Sequence, residues 1–280
     1  MSERIVAFQG EHGAYSEEAI HRHFGDETAT LPCETFTAIF QAIQRGEATN
    51  GMLPVENALA GTVAQAYELL MEHDFRVQAE YILPVKHYLL ANAGTALDDV
   101  QRVKSHPQAL AQCADTLRRR GWEAVAAYDT AGAACKLARA PEPHTAVIAS
   151  ELAGSMYGLI ALERNIEDDP LNSTRFFVIG QEDAERCDRS KTSLVFGVRH
   201  RPKALYYCLG AFAQHNINLT KIESRPIRGR PWQYWFYLDF EGHWQDPNAE
   251  AALVELLRQA SMVKMLGSYP AASGGPNSHT

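Results

Sequence analysis

ASELAGSMYGLIALERNIEDDPLNSTRFFVIG, residues 149–180, is the stretch on which the reading of this chain turns. Ser150 leads into a helix of small residues that breaks near Gly158, and a short apolar run from Leu159 to Leu162 follows. The chain turns at Asp169-Pro170 and then presents Asn172-Ser173-Thr174-Arg175-Phe176 where the apolar strand Phe176 to Ile179 begins. A hydroxyl and a guanidinium therefore sit side by side at a strand mouth. Side chains alternate along a strand, so Thr174 and Phe176 share one face and Arg175 points away from it. Arg175 reaches an anion on the Thr174 side only by its length or through a kinked backbone. By itself Thr-Arg-Phe reads as a pairing edge with one solvated arginine; its company changes that reading.

Upstream, Thr145 to Ala149 is a strand, Ala131 to Ala138 a helix with Asp129-Thr130 as its capping start, and Trp122 to Ala127 another strand. A short strand at Arg102 to Lys104 delivers Ser105-His106-Pro107-Gln108, with Pro107 suited to the first helical position and Ser105 near the cap. Gln112, one turn beyond Gln108, falls on the same face. Two amides and a hydroxyl at a helix mouth suit a ligand rich in oxygen, although capping and solvation also account for them. From Phe75 to Leu90 the chain is extended and carries Pro84, too long for one strand of a small sheet; a crossing between two lobes explains it.

The amino-terminal third repeats the alternation. Arg4 to Phe8, Thr28 to Leu31 and Gly51 to Val55 are strands. Gln9-Gly10-Glu11-His12-Gly13-Ala14-Tyr15-Ser16 is a glycine-punctuated loop before a helix that Gly25 closes. A strand, a tight turn and a helix start form an anion site from free backbone N–H groups. The lysine and hydroxyl pair of a nucleotide loop is absent, so a carboxylate ligand fits better than a nucleotide. Asn57 follows the third strand, either capping the next helix or facing the crevice at the strand ends. Strand and helix alternation predicts a predominantly parallel sheet in two lobes.

Downstream, Gln181 to Arg186 is charged and poor in apolar residues, a predicted domain boundary. Lys191 to Val198, Ile217 to Ser224, Trp232 to Phe240 and Val263 to Tyr269 read as strands, with helices over 202–214 and 248–260. That order, βαββαβ, is the ferredoxin-like plan. The turn from Pro226 to Pro231 joins the central pair, and the tail after Pro270 is expected to be disordered.

Composition narrows the function. The 280 residues are 46% apolar and 21% charged, ordinary for globular domains. A formal net charge of -8 without a basic stripe argues against nucleic acid. No basic and apolar leader precedes the first strand and no window approaches a membrane span, so a cytoplasmic protein without membrane partners is expected. Five scattered cysteines, never in CxxC spacing, read as reduced thiols. The histidines are dispersed, with no metal-ligand frame.

Taken together, Gly10 to Ser16, Leu53-Pro54-Val55-Glu56-Asn57, Ser105-His106-Pro107-Gln108 through Gln112, Ala149-Ser150 with Tyr157-Gly158, Asn172 to Phe176, and Ile217 to Pro226 resemble a monofunctional prephenate dehydratase with a carboxy-terminal ACT domain. The resemblance covers nearly the whole chain except the tail. It implies an α/β fold: a two-lobe, periplasmic-binding-protein-like catalytic region over 1–180, a linker over 181–190, and a ferredoxin-like ACT domain over 191–270. It implies decarboxylating dehydration of prephenate to phenylpyruvate, without metal or cofactor. By family pattern Thr174 is the key hydroxyl. Asn57, Gln112, Ser16, Ser105 and Phe176 line the site, and Arg175 is an anion or structural partner. Phenylalanine inhibits at an ACT interface in a homodimer or homotetramer, mapping to Ala204, Leu205, Asn218, Leu219, Glu223, Ser224 and Arg225.

Two positions depart from the pattern: Ala58 stands where a hydroxyl residue is usual, and Lys203 where glycine usually precedes Ala-Leu, so that its side chain crowds the regulatory ligand's approach. With no helical mutase-like segment before Arg4, a single activity is expected. Arogenate dehydration, the same elimination on the amino-acid form of the substrate, and a non-catalytic amino-acid sensor are the competing readings. Thr174, Arg175 and Gln112 together weigh against the sensor.

Overall fold

A computed structural model describes residues 4–227 and 229–272, apart from the side chain at 231. The chain forms two compact units, one running to Ala66 and then over Tyr81–Phe176, the other comprising Tyr67–Glu80 and the chain from Phe177 onward.

In the first unit, β1 (Ile5–Gln9), α1 (Tyr15–Phe24), β2 (Ala29–Cys33), α2 (Phe36–Gln44), β3 (Asn50–Asn57) and β4 (Gly61–Thr62) build one lobe, after which come α3 (Ala64–Glu72) and β5 (Arg76–Pro84). Thr35 starts α2 by accepting from the Ala38 N–H. The second lobe holds β6 (Tyr88–Ala91), β7 (Arg102–Ser105), α4 (Pro107–Gln112), α5 (Ala114–Arg120), β8 (Glu123–Ala126), α6 (Thr130–Arg139), β9 (Thr145–Ala149), α7 (Glu151–Tyr157) and β10 (Ile160–Arg164). β11 (Ser173–Gly180) then returns to the first sheet. The sheet orders are β2-β1-β3-β11-β5, with β4 on β3, and β10-β6-β9-β7-β8. The extended run from Phe75 to Leu90 is thus two strands, one in each sheet. As expected, β1 pairs in parallel with β2 and β3, and β7 with β8 and β9. The exception in the second sheet is β6, which is antiparallel to both β9 and β10.

The second unit contains β12 (Ser190–Val198), α8 (Ala204–Gln214), β13 (Leu219–Ile227), β14 (Arg230–Glu241), α9 (Pro247–Gln259) and β15 (Ala260–Pro270), the predicted βαββαβ order. Its sheet runs β13-β14-β12-β15, antiparallel throughout. One face buries Leu194, Phe196, Leu238 and Phe240 beneath Phe212 of α8 and Leu256 of α9. At the start of α8, Lys203 adopts φ 67°, the left-handed conformation that glycine takes without cost.

The opposite face explains why Tyr67–Glu80 belongs to this unit. Tyr237 donates to the Tyr67 carbonyl, the Lys264 ammonium caps the Met71 and His73 carbonyls at 3.0 and 2.7 Å, and Lys191 pairs with buried Glu80 at 2.7 Å. A helix's last carbonyls lack intrahelical partners, and a cation satisfies them. Residues 181–189 carry no helix or strand. Of the expected disordered tail, Ala271 donates to the Arg189 carbonyl and Ala272 to Glu80; positions 273–280, like Arg228 in the central turn, lie outside the described residues.

Gly267, at φ 153° beside a register shift between β12 and β15, lets the Val77 backbone approach the sheet; a methyl there overlaps the Val77 carbonyl. Gly267→Ala is expected to lower unfolding free energy by about 2 kcal/mol, read from urea midpoints; an unchanged midpoint contradicts this packing.

Candidate active site

A cavity of about 430 Å³ lies between the two lobes of the first unit. Asn57, the last residue of β3, organises one wall. Its side-chain oxygen accepts from the Leu59 and Ala60 N–H groups at 3.1 and 2.9 Å, which fixes the amide plane. The amide nitrogen is thereby aimed at the start of β11: the Asn172 side-chain oxygen at 2.9 Å, the Ser173 carbonyl at 3.0 Å and Thr174 Oγ1 at 3.1 Å. Of the two readings of Asn57 left open by the sequence, the crevice-facing one fits this geometry; its oxygen closes a turn before β4 and does not cap α3, which begins at Ala64. Ala58 contributes its N–H to the Ser173 carbonyl at 2.8 Å. Because Thr174 Oγ1 accepts from Asn57, its own hydrogen is left to point elsewhere. Thr174 and Phe176 both line the cavity, as strand alternation requires.

Arg175 does not line the cavity; it stands 3.7 Å from Glu56. Of the two expectations for Arg175, anion partner or structural partner, the Glu56 contact fits the structural one. Ser105 is also placed elsewhere. It is fully buried and donates to the Ile148 carbonyl at 2.6 Å, tying β7 to the end of β9. The residue before Pro107, His106, is the true cap of α4, accepting from the Gln108 N–H, and it is His106 that reaches the cavity.

The Gly10 to Ser16 loop supplies the floor. α1 starts at Ala14 with no side-chain cap, so its first-turn N–H groups lack a covering acceptor at the end where Ala14, Tyr15 and Ser16 line the cavity. The loop is shaped by buried Glu17, whose carboxylate accepts from the Gly13 N–H at 2.6 Å and Thr30 at 2.7 Å and meets His12 at 2.7 Å. Burial alone would raise the Glu17 carboxyl, yet these hydrogen bonds hold it below its usual range. The loop is clasped by the second lobe: Ser150 donates to the Gly13 carbonyl at 2.6 Å and Tyr157 to the His12 carbonyl at 2.7 Å.

The opposite wall presents Gln108, Ala109, Gln112, Asp129 and Thr130. Asp129 caps α6 by accepting from the Gly132 N–H and is, among the described lining residues, the one with a formal charge apart from histidines. Gln112 is held by His87, whose Nε2 lies 2.9 Å from its side-chain oxygen; Tyr15 meets the other ring nitrogen at 2.7 Å. His87 is a lining residue that sequence reasoning missed. It sits alone in an extended segment, and its partners are 72 and 25 positions away; the only local hint was a histidine just past Pro84. Among the described residues, no group of three or more His, Cys, Asp or Glu side chains is placed to hold a metal ion. No helix among them is long and apolar enough to cross a membrane.

A family profile for prephenate dehydratase matches residues 6–184. The chain is 42% identical over 276 residues to arogenate dehydratase/prephenate dehydratase 2 of Arabidopsis thaliana, a chloroplastic protein, covering 95% of this chain and 72% of that one. Among solved structures, it is similar to prephenate dehydratase of Arthrobacter aurescens in complex with L-Phe, with a TM-score of 0.87, 30% identity, and 95% and 89% of the two chains covered. A chain described as a novel type of quorum quenching acylase gives a TM-score of 0.88 at 37% identity, over 96% and 98%.

The Glu17 buttress carries a pH signature. A carboxyl whose folded pKa is depressed contributes stability that is fully present above its unfolded value, about 4.3, and lost as pH falls through the folded value. Glu17→Gln is therefore expected to cost about 2 kcal/mol at neutral pH and progressively less in acid. Urea titrations of both proteins from pH 7 to pH 3 check this; a constant gap contradicts it.

Proposed function

The chain belongs to the prephenate dehydratase family, and on that premise we propose that this dehydratase of phenylalanine biosynthesis converts prephenate to phenylpyruvate, carbon dioxide and water in the cavity between its lobes. The observation that carries the reading is the Thr174 oxygen fixed by the Asn57 amide at 3.1 Å on the cavity wall. In the reaction the bond to the ring carboxylate breaks, its electron pair enters the ring, and the bond to the ring hydroxyl breaks as the ring becomes aromatic. The departing oxygen leaves with negative charge, as hydroxide, and takes one proton from solvent to become water. A hydrogen bond from Thr174 Oγ1 that strengthens as this charge develops lowers the barrier. Positioning does the rest, because aromatisation supplies the driving force.

The carboxylates are met without a guanidinium or ammonium among the described lining residues. The uncapped start of α1, the Ser16 hydroxyl and the amides of Gln108 and Gln112 provide donors, while Phe36, Pro54, Val63, Val85 and Phe176 enclose the ring. This balance favours release of carbon dioxide, since no cation grips the carboxylate that must leave. Acyl transfer, the chemistry named for one structural neighbour, needs a nucleophile paired with a base. Here Thr174 faces an amide, and His87 is occupied by Tyr15 and Gln112.

Asp129 favours a second reading, arogenate as substrate. An α-ammonium in place of the ketone meets that carboxylate favourably, whereas the prephenate dianion is repelled by it.

Phenylalanine feedback is proposed at the ferredoxin-like domain, here read as an ACT domain. Ala204 and Leu205 lie at the first turn of α8, while Asn218 and Leu219 follow its other end. A helix of 11 residues spans about 16 Å, so one amino acid touches both sets only where two copies of the chain meet. Glu223 and Arg225 pair with each other along β13, with Ser224 on the alternate face. Lys203, in a left-handed conformation beside Ala204, adds a flexible cation where glycine is usual.

Parallel spectrophotometric assays with prephenate and arogenate test the activity: turnover of at least one is expected, and turnover of neither contradicts the reading. Thr174→Ala is expected to lose on the order of 10²- to 10³-fold in kcat, with Thr174→Ser retaining part of it; an undiminished rate in the alanine variant contradicts the role. Added phenylalanine is expected to lower activity and shift the scattering profile, and indifference of both refutes feedback at this domain.

A further inference from the structure

Three polar side chains from separate elements stand in line along the cavity wall. Tyr15 belongs to the first turn of α1, His87 to the link between β5 and β6, and Gln112 to the end of α4. The Tyr15 hydroxyl lies 2.7 Å from His87 Nδ1 and 3.0 Å from the Lys86 carbonyl, and His87 Nε2 lies 2.9 Å from Gln112 Oε1. The direction of the two links to the ring depends on its tautomer. With Gln112 turned so that Oε1 faces the ring, that oxygen can only accept, which calls for a hydrogen on His87 Nε2. The ring is 1% exposed, and burial lowers its pKa against the opposing pulls of Gln112 and Glu167. A neutral imidazole with hydrogen on Nε2 leaves Nδ1 as a bare acceptor. Burial also keeps the Tyr15 phenol protonated by pushing its pKa well up, and Nδ1 is the nearer of its two acceptors.

We propose that Tyr15 and His87 are positioning residues acting through Gln112: Tyr15 donates to His87 Nδ1, His87 Nε2–H donates to Gln112 Oε1, and the Gln112 NH2 group is thereby presented to the cavity as a donor. The reverse tautomer turns Gln112 around and presents its oxygen. That matters in a cavity whose described lining contains no lysine or arginine and one carboxylate, Asp129; an outward oxygen adds an acceptor where the substrate's own oxygens need donors. The catalytic weight of the relay rests on the dehydratase reading, whereas its hydrogen-bond direction does not.

The test has two arms. The first is a double-mutant cycle on kcat/KM, with whichever of prephenate and arogenate is turned over. Gln112→Ala and His87→Leu are each expected to lose about 10²-fold, and Tyr15→Phe on the order of tenfold. His87→Gln, which restores an N–H donor toward Gln112, is expected to recover most of the loss. In the Gln112→Ala background, His87→Leu and Tyr15→Phe are expected to cost less than about twofold more. Losses that instead multiply in that background overturn the proposal, because they mean that the two residues only support packing. The second arm reads the 15N spectrum of the histidines in the unsubstituted protein near neutral pH and needs no turnover. His87 in the Nε2–H neutral form supports the relay; the Nδ1–H form or an imidazolium overturns it. If neither substrate is turned over, the dehydratase reading fails while this spectrum still decides the relay.

Discussion

Gly13 marks the place where the two lobes of the first unit meet with no room for a side chain. A β-carbon there would stand 2.8 Å from Ala153 Cα and 2.9 Å from its methyl, and the residue's φ of 87° is one that other residues rarely take. Around this close approach, Ser150 and Tyr157 of the second lobe hold the Gly13 and His12 carbonyls, while Glu17 holds the Gly13 N–H from within the first lobe. The loop is thus pinned on both sides of a single peptide. α1 departs immediately afterward, so the clasp that joins the lobes also aims the helix start, Tyr15 and Ser16 into the cavity. The width of the cleft, the direction of its donors and the reach of Tyr15 to His87 all depend on that approach.

The donors share one character. Each is a neutral group whose orientation is fixed by a second hydrogen bond within the protein: Asn57 by the Leu59 and Ala60 N–H groups, Thr174 by Asn57, and Gln112 by His87. A dipole fixed in advance needs no reorganisation as charge moves. A mobile ammonium is different, since it would follow the carboxylate and stabilise the substrate as much as the transition state, gaining affinity without rate. An elimination that sheds carbon dioxide and hydroxide from one ring is well served by fixed neutral donors, with Asp129, the one carboxylate among the described lining residues, at the α6 start that it also caps.

Much of this was legible from residue order. The length of the Phe75 to Leu90 segment exceeded any one strand, and it does divide between two sheets. Alternation along β11 put Thr174 and Phe176 together on the cavity wall and turned Arg175 toward Glu56. The βαββαβ rhythm after Lys191 read directly as a ferredoxin-like unit. What stayed hidden depends on partners distant in sequence. Ser105 has the chemistry of a helix cap, and only the position of the Ile148 carbonyl shows that it is a tie between strands. His87 is one histidine among 11, ordinary until Tyr15 and Gln112 are brought to its two nitrogens. The apolar face of α3 looks the same whichever sheet it covers, and the carbonyls capped by Lys264 reveal its allegiance.

The account stands on one placement, a ring oxygen beside Thr174 in the cavity between the lobes. It is tested most directly by a crystal structure with a substrate analogue that keeps the ring hydroxyl but cannot eliminate. The expected result is that hydroxyl within about 3 Å of Thr174 Oγ1, a carboxylate at the start of α1, and the Gln112 NH2 group turned toward the ligand. An analogue bound with its hydroxyl away from Thr174, or seated outside this cavity, contradicts it.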